Sequence, residues 1–209
     1  MGKIKNMKRI ICIVFLFCSC LGSICAHVHF EGIELTGTKH SFVEQLQRKE
    51  YTFVCDNANK SVLEGKYHGF PCSVVVYAYS KSIDIVYRVE VVTNSYTRWD
   101  DLSHEYDRIE QRISARYGMP TDATKMIYPP FVEEHNEMLG ISLNAFNYHS
   151  RWEVDNAIIR ISLTSDACIE IRLTDRNSEK MGKKMQQVSV QKAINGTKER
   201  IGNILDIFQ

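Results

Sequence analysis

The chain has 209 residues, of which 44% are hydrophobic and 24% are charged, and its 26 basic residues nearly balance its 25 acidic ones. This length and composition are typical of a globular protein that buries its own core. The balanced charge argues against a broad role in nucleic-acid binding, which depends on an excess of Lys and Arg.

The first 26 residues predict a secretory signal peptide. Four basic residues precede an uncharged stretch from Ile10 to Ala26, and small residues follow its apolar part. This is the export pattern, and the apolar part is shorter than the ~20 residues that cross a membrane. We expect cleavage after Ala26 and a secreted or periplasmic protein. A lipoprotein attached to the outer membrane through Cys20 and an uncleaved anchor are the alternatives.

Removal of the signal peptide leaves 22 basic residues against 25 acidic ones, so the mature protein is mildly acidic. The remaining basic residues are unevenly placed. Between Arg176 and Arg200 there are seven basic and two acidic residues. A solvated helix face explains this cluster, and docking onto an acidic partner or a membrane surface is the alternative.

Three of the seven cysteines lie beyond the signal peptide, at Cys55, Cys72 and Cys168. In an oxidising compartment two of them can pair. Cys55 and Cys72 bracket one predicted strand, so they are the pair that we expect to be bridged if any is, with Cys168 free. Three thiols are too few for a disulfide scaffold, so a hydrophobic core must hold the protein together.

The first half of the mature chain predicts one helix and four strands. Thr38 is a favourable N-cap residue, and apolar positions three and four residues apart predict a helix over 39–49. Strands are predicted over 51–55, 62–67, 73–79 and 83–92. In the last of these, apolar residues at Ile83, Ile85, Tyr87 and onward alternate with polar ones, as in a half-buried antiparallel strand.

The second half begins with the clearest helix in the sequence. Apolar residues recur every three or four positions from Trp99 to Tyr117, Thr97 is a candidate cap, and Gly118 ends the pattern. After an irregular stretch, strands are predicted over 140–148, 150–154, 157–163 and 168–174, with Asp155-Asn156 as a hairpin turn. Helices are predicted over 177–193 and 198–208, separated by Asn195-Gly196.

This order of elements predicts an α+β fold. We expect residues 27–209 to form a single compact domain with two tandem helix-plus-antiparallel-sheet units (α-β4-α-β4), 27–95 and 96–175, followed by a helical segment, 176–209. One continuous sheet is the alternative. In element order alone, tandem α-β units are similar to the proteinaceous β-lactamase inhibitors, which bind other proteins through a concave sheet. That similarity concerns the fold and is weak ground for a function.

A second resemblance comes from short motifs. The segment from His27 to Thr38, which reads HVHFEGIELTGT, is followed by a Gly-x-Pro-Cys strand entry at 69–72 and by RYGMP at 116–120. Together these motifs resemble a family of secreted proteins from Gram-negative gut anaerobes. The resemblance implies a periplasmic or extracellular bacterial protein. It implies no activity and no site residues.

Motifs for catalysis are missing or incomplete in the sequence. His104-Glu105 begins like a zinc-protease helix, but that pattern needs a second His where Arg108 stands. Glu133, Glu134, His135 and Glu137 can be read as metal ligands or, more simply, as a solvated acidic loop. No cysteine is marked as a nucleophile by a neighbouring base. We therefore expect a protein that is not an enzyme, with a small envelope enzyme as the least favoured alternative.

The new N-terminus offers a candidate metal site. Cleavage after Ala26 exposes His27-Val28-His29, in which the α-amine, two backbone amides and the third-position His29 form a square-planar nitrogen set. Cu(II) and Ni(II) favour this geometry, and His27 adds another nitrogen. The simpler interpretation is a first strand in which two histidines alternate.

The segment from Met126 to Val132 is the best candidate for contact with a partner. Pro129 and Pro130 stiffen it, and Tyr128 and Phe131 are the large apolar residues beside them. Folded over the core, the segment is structural; exposed, it is an aromatic patch that anchors a partner. We therefore expect a binding module for another protein or an envelope component. It contacts no nucleic acid, and it contacts a membrane only if it is lipidated. A small-ligand, Cu(II) or Ni(II) carrier is the second choice.

Overall fold

The structure, a computed structural model, describes residues 28–80, 82–133 and 135–207. The predicted signal peptide, the lipid-attachment candidate Cys20 and the metal candidate His27 lie outside these residues. Within them the strands are β1 (His29–Phe30), β2 (Ile33–Glu34), β3 (Thr52–Asp56), β4 (Lys60–Tyr67), β5 (Phe70–Ser80), β6 (Ile83–Thr93), β7 (Asp122–Ile127), β8 (Phe146–Val154), β9 (Ala157–Leu163) and β10 (Ile169–Asp175). The helices are α1 (Lys39–Gln47), α2 (Trp99–Tyr117), α3 (Pro129–Glu133), α4 (Glu137–Ser142) and α5 (Arg176–Ile207).

Eight of these strands form one antiparallel sheet in the order β3-β4-β5-β6-β10-β9-β8-β7. The two four-strand runs meet in the middle, where Val91 of β6 pairs with Ile171 of β10. Strands β1 and β2 form a separate hairpin. The predicted α+β class with an antiparallel sheet is confirmed, and the sheet is the continuous one that the sequence left as the alternative.

Helices α1 and α2 cover one face of this sheet. The buried side of α1 carries Phe42 and Leu46, and that of α2 carries Leu102, Tyr106 and Ile109. They belong to one cluster with the inward-facing residues of every strand from β4 to β10. Each fully buried aliphatic side chain stabilises the fold by about 1.5–3 kcal/mol relative to exposure, so this shared core holds the described residues together without a disulfide among them.

The ends of the two helices differ in how they are capped. Ser41 N donates a hydrogen bond of 3.2 Å to Thr38 Oγ1, as the N-cap prediction requires. The predicted cap of α2 is wrong, because Arg98 occupies that position and makes no side-chain capping bond. Gly118 ends α2 as predicted, at a φ of 86° that glycine adopts readily.

The stretch predicted to be irregular contains β7, α3 and α4, and the predicted strand 140–148 is wrong in its first half. Gly140 and Ile141 are buried in α4, and a Cβ on Gly140 would lie 3.0 Å from both Ile127 and Phe131. Contact with β7 and α3 therefore selects a helix here. The predicted strands 140–148 and 150–154 correspond to the single strand β8.

A bulge in β6 shifts the predicted alternation. Arg88 pairs with Tyr77 and Val86 pairs with Ala78, so Tyr87 is an extra residue between two register positions. Val86 is therefore fully buried in the core, whereas Ile85 and Tyr87 are half-buried outside the core. The prediction that Ile85 and Tyr87 share the face of Val89 is wrong for this reason.

The C-terminal segment is one helix, α5, which Asn195-Gly196 does not interrupt. Its first turns pack against the sheet, where Ser178 and Gly182 are buried and a Cβ on Gly182 would overlap the ring of Tyr79. Residues 183–195 are exposed. In the described part of the chain, no helix is long and apolar enough to span a membrane.

The predicted Cys55–Cys72 bridge is wrong in this structure, where Cys55, Cys72 and Cys168 are all free thiols. Cys55 lies on β3 and Cys72 on β5, and β4 lies between them. Two strand spacings amount to about 10 Å, whereas a disulfide needs Cα atoms within about 7 Å.

Candidate functional site

The face of the sheet opposite the core helices is a candidate binding surface, which we call the open face. Side chains alternate along a strand, so each strand contributes every second residue to it. One cross-strand row runs over all eight strands through paired residues. In order from β7 to β3, this row is Asp122, Arg151, Arg160, Arg172, Glu90, Val75, Val62 and Cys55.

Most of the open face is in contact with solvent. Val75, Tyr77 and Arg172 are half-buried, and Arg160 is exposed. The first turns of α5 lie against one end of the face, at Tyr79 of β5, whose ring centroid is 5.0 Å from that of Tyr87 on β6. The helix therefore covers this end of the open face and leaves the rest of the face accessible to solvent.

Three arginines stand side by side in the middle of the row, on β8, β9 and β10. Like charges directly opposite one another destabilise a sheet, so carboxylates are expected among them. Arg151 pairs with Glu153 at 2.6 Å, and Arg172 pairs with Glu90 and with Glu170, each at 2.7 Å. The middle residue, Arg160, makes no ion pair with another described residue. The face therefore carries one exposed guanidinium, flanked by two that are already neutralised.

Beside the arginines lies a cluster ordered around Glu90, whose side chain is only 10% exposed. Tyr77 Oη donates a hydrogen bond of 2.7 Å to Glu90 Oε2, and Arg172 Nε donates one of 2.7 Å to Oε1. The guanidinium of Arg88 lies 5.6 Å from the centre of the Tyr77 ring and 5.3 Å from that of Tyr87. Burial, followed by the hydrogen bond to Glu90, raises the pKa of Tyr77 to about 12. These contacts hold Tyr and Arg side chains in fixed positions on the face.

The structure divides the predicted binding segment from Met126 to Val132. Tyr128 is 48% exposed, and Pro129 and Pro130 are exposed at the start of α3, where a proline fits the first helical turn. Phe131 is half-buried and packs against the core. The two aromatic residues therefore have different surroundings, and Tyr128 alone of the pair is available to a partner.

Near Tyr128, whose backbone N–H donates to the carbonyl of Ala145, other apolar side chains are exposed at the β7 edge of the sheet. They are Met126, Val132 and Leu143. Met126 pairs with Asn147 across β7 and β8, and both lie on the open face. This group, which we call the apolar corner, therefore adjoins the open face through Met126.

No metal centre is found in the described residues, and the surroundings of Cys72 and Cys168 do not activate their thiols. No group of three or more His, Cys, Asp and Glu side chains there has an arrangement that could hold a metal ion. His29 is half-buried in β1, and its predicted partner in metal binding, His27, lies outside the described chain. Burial raises the pKa of Cys72 to about 11, and it also raises that of Cys168. Both thiols are thereby made poorer nucleophiles.

Comparison of the chain with known protein families, with curated proteins and with solved structures gives no match. The resemblance to secreted proteins of gut anaerobes therefore stays a prediction. Reasoning from the sequence missed the arginines of the open face and the cluster around Glu90. Their only local signal was a polar residue at every second strand position.

Proposed function

We propose that the protein is a binding module that is exported from the cell and captures an acidic surface of another protein on its open face. The observation that carries this proposal is the exposed Arg160, which stands without a carboxylate partner in the described chain between two neutralised arginines. An acidic side chain of a partner would supply the missing counter-charge. Export to the periplasm or the exterior is proposed from the N-terminal sequence pattern alone.

A protein partner fits the composition of the face better than a nucleic acid does. Tyr and Arg are the residue types that most often dominate the energy of protein interfaces, and here they are ordered before binding. Glu90, Glu153 and Glu170 are interspersed among the arginines. A surface of mixed charge repels a phosphate backbone in part, whereas it can match a partner that carries both signs.

We propose in addition that the chain consists of two helix-plus-four-strand units, 27–95 and 96–175. Their last strands, β6 and β10, pair in the centre of the sheet. The order of the elements supports this division. The three arginines of the row, on β8, β9 and β10, come from the second unit. Tyr77, Arg88 and Glu90 come from the first. A partner bound at the centre of the row would contact both units, so the binding site depends on their pairing.

A capture experiment with matched charge reversals tests the proposal. The immobilised protein and its Arg160→Glu and Arg48→Glu variants are each exposed to native envelope extract. Arg48 is an exposed arginine on the helix-covered side of the sheet, at the end of α1. We expect a partner that the wild type and Arg48→Glu both retain and that Arg160→Glu loses. Retention of the same proteins by all three would contradict a binding site on the open face.

A further inference from the structure

A small cavity lies on the other side of the sheet, between α2 and the core-facing side of β9 and β10. It has a volume of about 240 Å³. The β1 strand and the turn after β4 close it on the side away from the helix, through His29 and His68. Its position at the junction of several elements is typical of sites for small ligands.

The floor of the cavity is aliphatic. It is formed by Ile109 and Ile113 of α2, Ile159 of β9, and Ile171 and Leu173 of β10, all of which are buried. A cavity lined by such residues has no hydrogen-bonding groups to hold water, and it gains free energy when an apolar group fills it. The floor therefore favours an alkyl chain.

The rim of the cavity, in contrast, is cationic. Arg112 and Arg116 lie one turn apart on α2, both exposed, and like charges at this spacing disfavour a helix. Neither makes an ion pair with any residue in the described ranges, although the guanidinium of Arg116 lies 5.2 Å from the centre of the Tyr117 ring. His29 and His68 complete the rim. Four cationic or protonatable groups thus surround an apolar opening.

Tyr67 lines the cavity and lies close to the charged side chains at its rim. Burial, followed by the nearby Glu31 carboxylate, raises the pKa of Tyr67 to about 12, while Arg116 and Arg112 act in the opposite direction. Neither Glu31 nor any other carboxylate of the described chain lines this cavity. The Tyr67 hydroxyl and the two guanidinium groups can therefore all donate hydrogen bonds to an anion held at the rim.

The available space continues beyond this cavity. A neighbouring cavity of about 210 Å³ shares His29, Arg116 and Tyr117 with it and extends to Val154, Asp155 and Ala157, so the one carboxylate in its lining is that of Asp155. Arg116 stands at the boundary between the two cavities. A head group bound there can thus be joined to a chain that enters the aliphatic floor.

We propose that this cavity binds a small amphipathic carboxylate, with its alkyl chain on the aliphatic floor and its carboxylate held by Arg112 and Arg116. Arginine suits this role because its planar guanidinium pairs with a carboxylate through two parallel hydrogen bonds. The site lies across the sheet from the open face, and it does not depend on the proposed capture of a protein partner.

Titration calorimetry with three probes tests the proposal. Octanoate carries the chain and the charge, octanol carries the chain alone, and acetate carries the charge alone. We expect saturable binding of octanoate, binding of octanol that is weaker by about tenfold because a charge-assisted hydrogen bond is lost, and no measurable binding of acetate. Equal affinity for octanoate and octanol, or no saturable binding of octanoate, would overturn the proposal.

Two variants separate the rim from the floor. The double substitution Arg112→Gln with Arg116→Gln should weaken octanoate binding by about tenfold and leave octanol binding unchanged. Ile113→Phe should weaken the binding of both probes, because the larger ring occupies the floor. Arg48→Gln is the matched control and should change neither affinity. Wild-type affinity for octanoate in the double arginine variant would overturn the assignment of the head group to the rim.

Discussion

The two faces of the eight-stranded sheet are made from the same strands, yet their side chains are under different constraints. On the core face, Ile159 and Ile161 of β9 are buried under α2, and Ile161 is fully enclosed by the core. On the open face, Arg160 lies between them in sequence and touches no carboxylate of the described chain. The alternation of a strand thus lets one segment hold the fold and present a candidate binding group at once. We therefore expect that the stability of this protein and its proposed binding can be changed separately.

The contrast between the two faces in free energy of unfolding should be greatest for two neighbouring residues on β9. Ile161→Ala should lower the free energy of unfolding by about 2–5 kcal/mol, since it removes a fully buried aliphatic side chain and leaves a cavity. Arg160→Ala should change it by less than about 0.5 kcal/mol, as exposed substitutions usually do. Urea denaturation of both variants measures the difference. Similar losses in the two would show that the open face is also structural.

A smaller effect is expected in the segment from Met126 to Val132. Phe131→Ala should cost about 2 kcal/mol, less than a fully buried phenylalanine, because its ring is only half-buried. Tyr128→Ala should stay within about 0.5 kcal/mol. Thermal unfolding of the two variants provides the measurement. If Tyr128→Ala is the more destabilising change, the division of this segment into an inner and an outer aromatic residue is wrong.

Elements that are set by local sequence patterns were predicted from the sequence, whereas those that depend on contacts between distant residues were not. α1, α2, the strands β3 to β6 and the hairpin of β8 and β9 follow from periodicity and turn residues, which are local. β7 was missed because its core-facing side carries Lys125, which bonds to Asp107 of α2 at 2.7 Å and hides the apolar alternation. The bulge at Tyr87 has no local signal either.

The candidate binding surface was predicted less well than the fold, for a related reason. Tyr128 was identified from its neighbours in sequence, and it is exposed. The row through Arg151, Arg160 and Arg172 exists only when three strands are aligned in one register, and register is set by contacts between distant residues. A single sequence shows three separate arginines and gives no reason to place them side by side.

A finer effect concerns Tyr77, which is hydrogen-bonded to Glu90 on the open face. Its pKa is raised to about 12 in the folded protein, so above pH 10 the unfolded chain loses this proton first. Folded stability should therefore fall between pH 10 and pH 12. Tyr77→Phe removes this ionisation and should reduce the slope of unfolding free energy against pH. An unchanged slope in this variant would contradict the ordered cluster around Glu90.

The separation of the two faces is tested most directly by the affinity of the captured partner for the wild type and for Arg160→Glu, measured by calorimetry at low and high salt. We predict that the variant unfolds at the wild-type temperature and binds the partner at least about tenfold more weakly at low salt, because the introduced carboxylate repels an acidic surface. The difference should shrink at high salt, which screens exposed charges. Equal affinities at low salt, or a loss of binding that accompanies a loss of stability, would contradict the account.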